Sequence, residues 1–384
     1  MAARKHNFEN VVIGHLNSIK DRFFGVKRSK VAEEDDSSST HGGELGSFDT
    51  LPVEIHFLIM TFLSPQDLCR LGGTSQYWRA LIRDPSLWKY FLLRDMYLWS
   101  SVDHLSMPDM NSLETALSES ASSESRDFMA DYLRTCPACR SQWQQSGSRP
   151  ATAHGTVTSF LKSMVVAAAE PRFAMFGPGL EQLEACLVLK LLNSPDILPV
   201  TGASQTQIRG IGSGITFAYG GLHKFSIFTL HSTNRAERER ARLERVDVQN
   251  RLFTQREDEV TGRTELTIAP NLLEVCQTVE GFIFATNAET EHGGGSSEAK
   301  ERDFAQIRAM LVGSGQTPPR PLLVLSCTSR EAPECPRFPC LKVAQWLSLS
   351  QLPNPWMVQD TVVESLSGLL DGIQWLLRQT GTRL

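Results

Sequence analysis

Apolar residues recur three to five positions apart through residues 7–26, at Phe8, Val11, Val12, Leu16, Ile19, Phe23 and Phe24, the spacing of one helix face. Residues 33–46 (EEDDSSSTHGGELG) then drop every periodic apolar position, which predicts a linker. From Asp49 to Trp99 the pattern becomes dense and helical. Pro52 suits a first helical position and Glu54 its first turn, and Ile55, Leu58, Ile59 and Phe62 follow at i, i+3, i+4 and i+7. Ser64-Pro65-x-Asp67 predicts a second start, a capping-box variant, for a helix carrying Leu68 and Leu71 up to Gly72-Gly73. Tyr77, Trp78, Leu81 and Ile82 mark a third segment. Asp84-Pro85 opens a fourth with Leu87, Trp88, Phe91 and Leu92. Helices this short enclose little core, so their surplus apolar side chains point to the helices of a partner.

Residues 103–150 are Ser-rich and read as a connector with short helical pieces around 112–117 and 126–133. From Thr156 onward apolar runs alternate with amphipathic stretches, the signature of an α/β domain. Arg172–Phe176 reads as a buried strand entering the turn Gly177-Pro178-Gly179, with Leu180, Leu183, Leu187, Leu189 and Leu191 marking a helix. Ile215–Tyr219 and Lys224–Leu230, joined through Gly220-Gly221, read as a hairpin. Residues 235–245 read as a charge-laced, solvated helix. Gly281–Ala285 and Pro321–Ser326 read as buried parallel strands. A last helix is expected over Thr361–Leu377, with Val362, Leu366, Leu369, Leu370, Ile373 and Leu377 on one side.

The 384 residues are 41% apolar and 21% charged, ordinary for a globular chain of two or three domains. A net charge of −5 without a large basic block argues against a nucleic-acid surface. Lys27-Arg28-Ser29-Lys30 is a short cluster, read as a solvated helix end rather than an import signal. No apolar run reaches the roughly 18 residues of a membrane span, and the N-terminus lacks the features of a secretory signal. A soluble, intracellular, cytoplasmic protein is expected, with nuclear presence also compatible. Cys136 and Cys139 have zinc-knuckle spacing, but only His154 could add a nearby ligand, short of the four a structural site needs. No metal site and no cofactor are expected.

The strand spacing is that of a small-GTPase-like sheet, yet its nucleotide chemistry is missing. A P-loop needs G-x-x-x-x-G-K-[ST] so that backbone amides, Lys and a metal-ligating hydroxyl meet the phosphates. Counting from Gly177, position 182 is Gln and 183 is Leu. Leu230 leads into His231-Ser232-Thr233-Asn234 without Asp-x-x-Gly, and Leu325 into Ser326-Cys327-Thr328-Ser329 without Asn-Lys-x-Asp. No nucleotide site is expected.

The helical stretch Leu51-Pro52-x-Glu54-Ile55-x-x-x-Ile59-x-x-Phe62-Leu63-Ser64-x-x-Asp67-Leu68-x-x-Leu71, then Ser75-x-x-Trp78-Arg79 and Asp84-Pro85-x-Leu87-Trp88, resembles an F-box nearly position for position. The resemblance implies that Leu51, Pro52, Ile55, Ile59, Leu63 and Leu68 dock on a Skp-family adaptor tied to a cullin scaffold. Phe62, Leu71, Trp78 and Trp88 are assigned to the motif's own core. Further segments extend the likeness to a branch of the family with an atypical, nucleotide-free small-GTPase-like domain: Leu92–Asp95, Trp99–Asp103, Glu170–Leu180, Ile211–Gly214, Gly281–Ile283, Pro321–Cys327 and Pro355–Thr361.

That likeness implies a non-catalytic substrate receptor of a Skp–cullin–F-box ubiquitin ligase. It implies a telomeric-repeat-binding shelterin subunit and D-type cyclins as substrates. It also implies homodimerisation through the N-terminal stripe of Phe8, Val12, Leu16, Ile19 and Phe23, where Ser18 is a candidate for phosphorylation. The expected division is 1–30 dimerisation segment, 31–48 linker, 49–95 F-box, 96–155 helical and irregular linker, and 156–384 substrate domain. Substrate contact is assigned either to an open sheet edge near the hairpin, with Ile215, Phe217, Phe225 and Ile227, or to a groove beside the last helix, with Leu366 and Ile373. Two rival readings remain: a divergent nucleotide-dependent GTPase-like enzyme, and a ligase with a catalytic thiol at Cys327 or Cys340.

Overall fold

A computed structural model describes residues 51–110, 113, 126–140, 170–208, 212–230, 252–257, 264–289, 297–315, 318–331, 337–382 and 384. The N-terminal stripe from Phe8 to Phe23, Ser18 and the charge-laced stretch 235–245 lie outside them. The chain divides into a helical unit, Met1–Met96 with Pro108–Arg134, and a sheet unit, Tyr97–Met107 with Thr135–Leu384.

In the helical unit, side-chain caps start three of the first four helices. Helix α1 (Val53–Thr61) begins after Pro52, whose carbonyl takes the Ile55 amide at 3.0 Å. Helix α2 (Pro65–Thr74) is capped by Ser64, which accepts the Asp67 amide at 3.2 Å and donates to Asp67 Oδ2 at 2.7 Å. Helix α3 (Gln76–Ile82) is capped by Ser75 and α4 (Pro85–Asp95) by Asp84, which accepts the Ser86 amide at 2.8 Å. Helix α5 (Phe128–Thr135) follows later in the chain. Leu81, Leu87, Trp88, Phe91 and Leu92 fill the core, and Trp88 Nε1 donates to the Ile82 carbonyl at 2.6 Å.

The sheet unit opens with β1 (Ser101–Asp103), inside the stretch read as a connector. It continues with β2 (Arg172–Phe176), α6 (Gly179–Gln182), α7 (Leu187–Leu192), β3 (Val200–Ile208), β4 (Gly212–Tyr219) and β5 (His223–Leu230). A separate hairpin, β6 (Phe253–Glu257) with β7 (Thr264–Ile268), precedes α8 (Pro270–Thr278) and β8 (Gly281–Asn287). Then come α9 (Ser297–Gly313), β9 (Leu322–Thr328), α10 (Cys340–Trp346), β10 (Trp356–Val362) and α11 (Leu369–Gln379).

The eight-stranded sheet runs β1-β10-β9-β8-β2-β5-β4-β3. Strands β5, β2, β8, β9 and β10 are parallel, and β4 returns antiparallel to β5. Without the edge strands β1 and β3, this is the strand order of a small-GTPase-like domain. Alternation along the strands sends Phe173, Met175, Ile283, Ala285, Leu323 and Leu325 to one face. There they join a core with Leu180, Leu187, Leu191, Leu369, Ile373 and Leu376. On the opposite face, Phe176 meets Phe284 and Phe282 with ring centroids 5.2 and 6.3 Å apart.

Three sequence expectations change. The helix expected over Thr361–Leu377 is a strand up to Val362, then a turn, then α11. Leu366 and Gly368 have φ of 54° and 80°, which no continuous helix accommodates. The Leu180–Leu191 helix is two short ones, because Leu183 is extended while its side chain stays in the core. The hairpin β4–β5 forms as expected, but β3 pairs with β4 and takes the edge position from it.

Candidate adaptor-docking site

Helix α1 is apolar on two faces. His56, Phe57 and Met60 are buried beneath it, while Leu51, Ile55, Leu58 and Phe62, spaced four, three and four apart, remain 36%, 39%, 46% and 82% exposed. Pro52 is exposed, and Ile59 and Leu63 are half-buried at the border of this stripe. An exposed apolar stripe on a helix whose other face is buried is an unfinished interface. Covering those four side chains would contribute roughly 1–2 kcal/mol each, scaled from the full-burial figure.

Two assignments within the motif reverse. Phe62, expected in the motif's core, is its most exposed large apolar residue, and Leu68, expected to dock, is fully buried. The helix α2 turn that carries Leu68 faces inward, whereas Phe62 sits at the C-cap of α1, where the chain turns outward. Trp78 and Trp88 are buried as expected, and Leu71 is half-buried.

Two members of the exposed surface were absent from the expected set. Leu58 lies on the same stripe, and its i+3 spacing from Ile55 was the available signal. Tyr77 projects from the first turn of α3, 46% exposed, with its hydroxyl 2.9 Å from Nδ1 of the buried His56. Nothing in the local pattern pairs those two residues. Their contact joins segments 21 residues apart.

The sheet unit presents no comparable apolar stripe at the positions expected for substrate. Ile215, Phe217, Phe225, Ile227, Leu366 and Ile373 are all core residues. Inward alternation of the hairpin strands and the covering of β4 by β3 put them there, so the proposed contact set is corrected to a packing set. At one edge of the sheet, β1 is closed off: its three residues are buried, and Arg140 reaches Asp103 Oδ2 at 2.5 Å. At the other, β3 has one strand neighbour among the described residues.

The turn after β2 packs closely against β8. Helix α6 starts three residues beyond Phe176, and a Cβ placed on Gly177 (φ 117°) would meet the Ala285 carbonyl oxygen at 2.5 Å. Over the ends of β9 and β10, Arg337 donates to the carbonyls of Ser326 at 3.0 Å and Thr361 at 2.9 Å. The guanidinium thus ties the two strand ends together.

The thiols are equally enclosed. Cys327 is fully buried and burial pushes its pKa up to about 12. Cys340 is raised well above the ordinary thiol value, first by burial and then by Asp360, to which it donates at 2.9 Å. Nucleophilic thiol chemistry needs the thiolate. At pH 8 the native chain is therefore expected to leave Cys327 and Cys340 unlabelled by iodoacetamide while the exposed Cys69 reacts. Peptide mass spectrometry checks this, and labelling of either buried thiol without denaturant would contradict it.

A family model described as F-box-like matches residues 48–94, the stretch that builds α1 to α4. F-box only protein 4 of Bos taurus is 44% identical over 88% of this chain and 85% of its own length. The Mus musculus protein of that name is 43% identical over 88% and 86%, and the Homo sapiens one 42% identical over 96% and 92%. Among solved structures, the small GTPase Arl6 (BBS3) of Trypanosoma brucei with a bound nucleotide analogue matches 56% of this chain and all of its own, at 13% identity and a TM-score of 0.33.

The chain is an F-box protein, and its motif implies the substrate-receptor position in a Skp–cullin–F-box ligase. Within that class it belongs to the F-box only protein 4 family.

Proposed function

We propose that this chain is a non-catalytic substrate receptor that docks on a Skp-family adaptor through the exposed stripe of α1 and presents targets held by its sheet unit. The observation that carries the reading is the two-faced helix. Its inward residues complete a fold, and its outward residues Leu51, Ile55, Leu58 and Phe62 have the spacing of a helix-in-groove contact. No chemistry is required of the chain, because tethering a substrate near a charged conjugating enzyme raises its effective concentration. Co-purification of the adaptor and cullin with the tagged chain tests this. Their absence would end the reading.

The proposed substrates are a telomeric-repeat-binding factor and a D-type cyclin, the targets the family resemblance implies. A second copy of the chain, joined through residues 1–30, and a cytoplasmic location with a nuclear pool belong to the same proposal. The proposal keeps 49–95 as the F-box and 156–384 as the substrate domain, to which strand β1 is added.

For the substrate itself, strand addition on β3 is the mode the fold supports best. A sheet edge offers a row of main-chain donors and acceptors. The register shifts at Val200/Gly202 and Ser204/Ile208 confine a regular ladder to a short length and so limit casual pairing. Hydrogen exchange with the telomeric factor is expected to slow amides of β3 and leave α11 unchanged. Protection confined to α11 would overturn strand addition.

A further inference from the structure

The F-box-like match ends at residue 94, yet the helical unit does not end there. Residues Pro108–Arg134 belong to the same unit and bring α5 onto α4. Tyr132 is only 3% exposed, its ring centroid 5.4 Å from Trp88 and 6.1 Å from Phe91. Packing accounts for the ring but not for the hydroxyl, which donates to Asp95 Oδ2 at 2.7 Å across 37 residues.

Asp95 in turn holds the guanidinium of Arg94 with two bonds, Nε to Oδ1 at 2.5 Å and Nη2 to Oδ2 at 2.9 Å. The remaining arm, Nη1, donates to the Thr61 carbonyl at 2.6 Å, while the guanidinium lies 4.4 Å from the Phe91 ring centroid. Thr61 is the last residue of α1, and its carbonyl is one of the four that a helix end leaves without an intrahelical donor. The next residue is Phe62, the most exposed member of the docking stripe. The amides of Phe62 and Leu63 close on the Ile59 and Met60 carbonyls, so their placement depends on an intact last turn.

We propose that Tyr132 is a positioning residue for adaptor docking, acting through Asp95 and Arg94 to hold the C-terminal turn of α1 and the Phe62 side chain in place. A long Arg side chain in a neighbouring-residue pair has many alternative rotamers, and a fixed carboxylate selects the one that reaches Thr61. The tyrosine hydroxyl fixes that carboxylate. Residues 126–134, outside the recognised motif, thereby become part of the ligase-coupling module. This rests on the docking reading of α1.

Tyr132→Phe in the full-length chain removes the hydroxyl and keeps the ring. Exchange at the Phe62 and Leu63 amides is expected to quicken roughly two- to tenfold, the ratio set by one net hydrogen bond, and the Kd for a purified Skp-family adaptor is expected to rise by a similar factor. Arg94→Lys keeps the charge but cannot fork between Asp95 and Thr61, and should weaken binding alike. The double variant should be no weaker than either single one, because both break the same relay.

Unchanged exchange at Phe62 and Leu63 in Tyr132→Phe, or fully additive losses in the double variant, would overturn the relay. Failure of the wild-type chain to bind the adaptor would instead overturn the docking reading.

Discussion

Replacing Ile55 and Phe62 together by Asp is expected to weaken binding of a Skp-family adaptor by roughly a hundredfold or more, since anchor residues at interfaces are worth about 2–4 kcal/mol each. Phe62 is 82% and Ile55 39% exposed and neither is a buried core residue, so the free chain loses little packing. Its unfolding free energy should move by no more than about 0.5 kcal/mol for each substitution, the ordinary surface range. Leu68→Ala, within the same motif, should behave oppositely. Leu68 is fully buried, and emptying its site should cost about 2–5 kcal/mol, with any loss of binding following from loss of fold. Titration calorimetry for binding, paired with denaturant unfolding, separates the two. If Ile55→Asp/Phe62→Asp bound normally, the stripe would not be the interface.

The second large effect is expected at Trp88, which is fully buried in the helical unit and donates its indole N–H to the Ile82 carbonyl. Trp88→Ala removes the largest buried ring of α4 and leaves that carbonyl without its donor, for a loss of about 3–5 kcal/mol. Domains typically hold about 5–15 kcal/mol, and small helical units sit toward the lower end. Exchange should therefore quicken throughout α1–α4, and adaptor binding should fall with it. Trp88→Phe, which retains the stacking with Phe91 and Tyr132, should lose much less. Equal losses in the two variants would mean that the N–H bond, rather than ring packing, holds the unit together.

The parts of this fold that could be read from residues alone are those governed by neighbours in the chain. Ser64, Ser75 and Asp84 cap helices within three residues of themselves, so the helical segments and their breaks were visible. Which face of α1 turns inward was not, because both faces are apolar and the choice depends on Trp78, Tyr77 and α4. Hence Phe62 was misplaced, and Leu68 on α2 was misplaced because its burial too is decided by packing from outside its own helix. Strand β10 was hidden for a related reason. Gln359 and Asp360 look like solvent-facing residues, but their partners come from elsewhere: Arg337 lies 3.5 Å from the Asp360 carboxylate and Cys340 donates to it.

The candidate substrate residues failed through topology rather than chemistry. Ile215, Phe217, Phe225 and Ile227 were correctly placed on a hairpin, and a hairpin at a sheet edge would present them. Strand β3, with Thr201, Gly202 and Ser204 in place of an apolar run, gave no strand signal and yet occupies that edge. The relay from Tyr132 to Thr61 was invisible for the same reason, since it closes between segments far apart in the chain.

In the proposed function one surface couples this chain to a ligase and a different unit holds the target. Affinity purification with quantitative mass spectrometry, comparing the wild-type chain with Ile55→Asp/Phe62→Asp, tests it most directly. The Skp-family adaptor and cullin are expected to disappear from the variant's partners, while the proposed substrates, a telomeric-repeat-binding factor and a D-type cyclin, are retained or enriched. Recovery of adaptor and cullin at wild-type levels would contradict it.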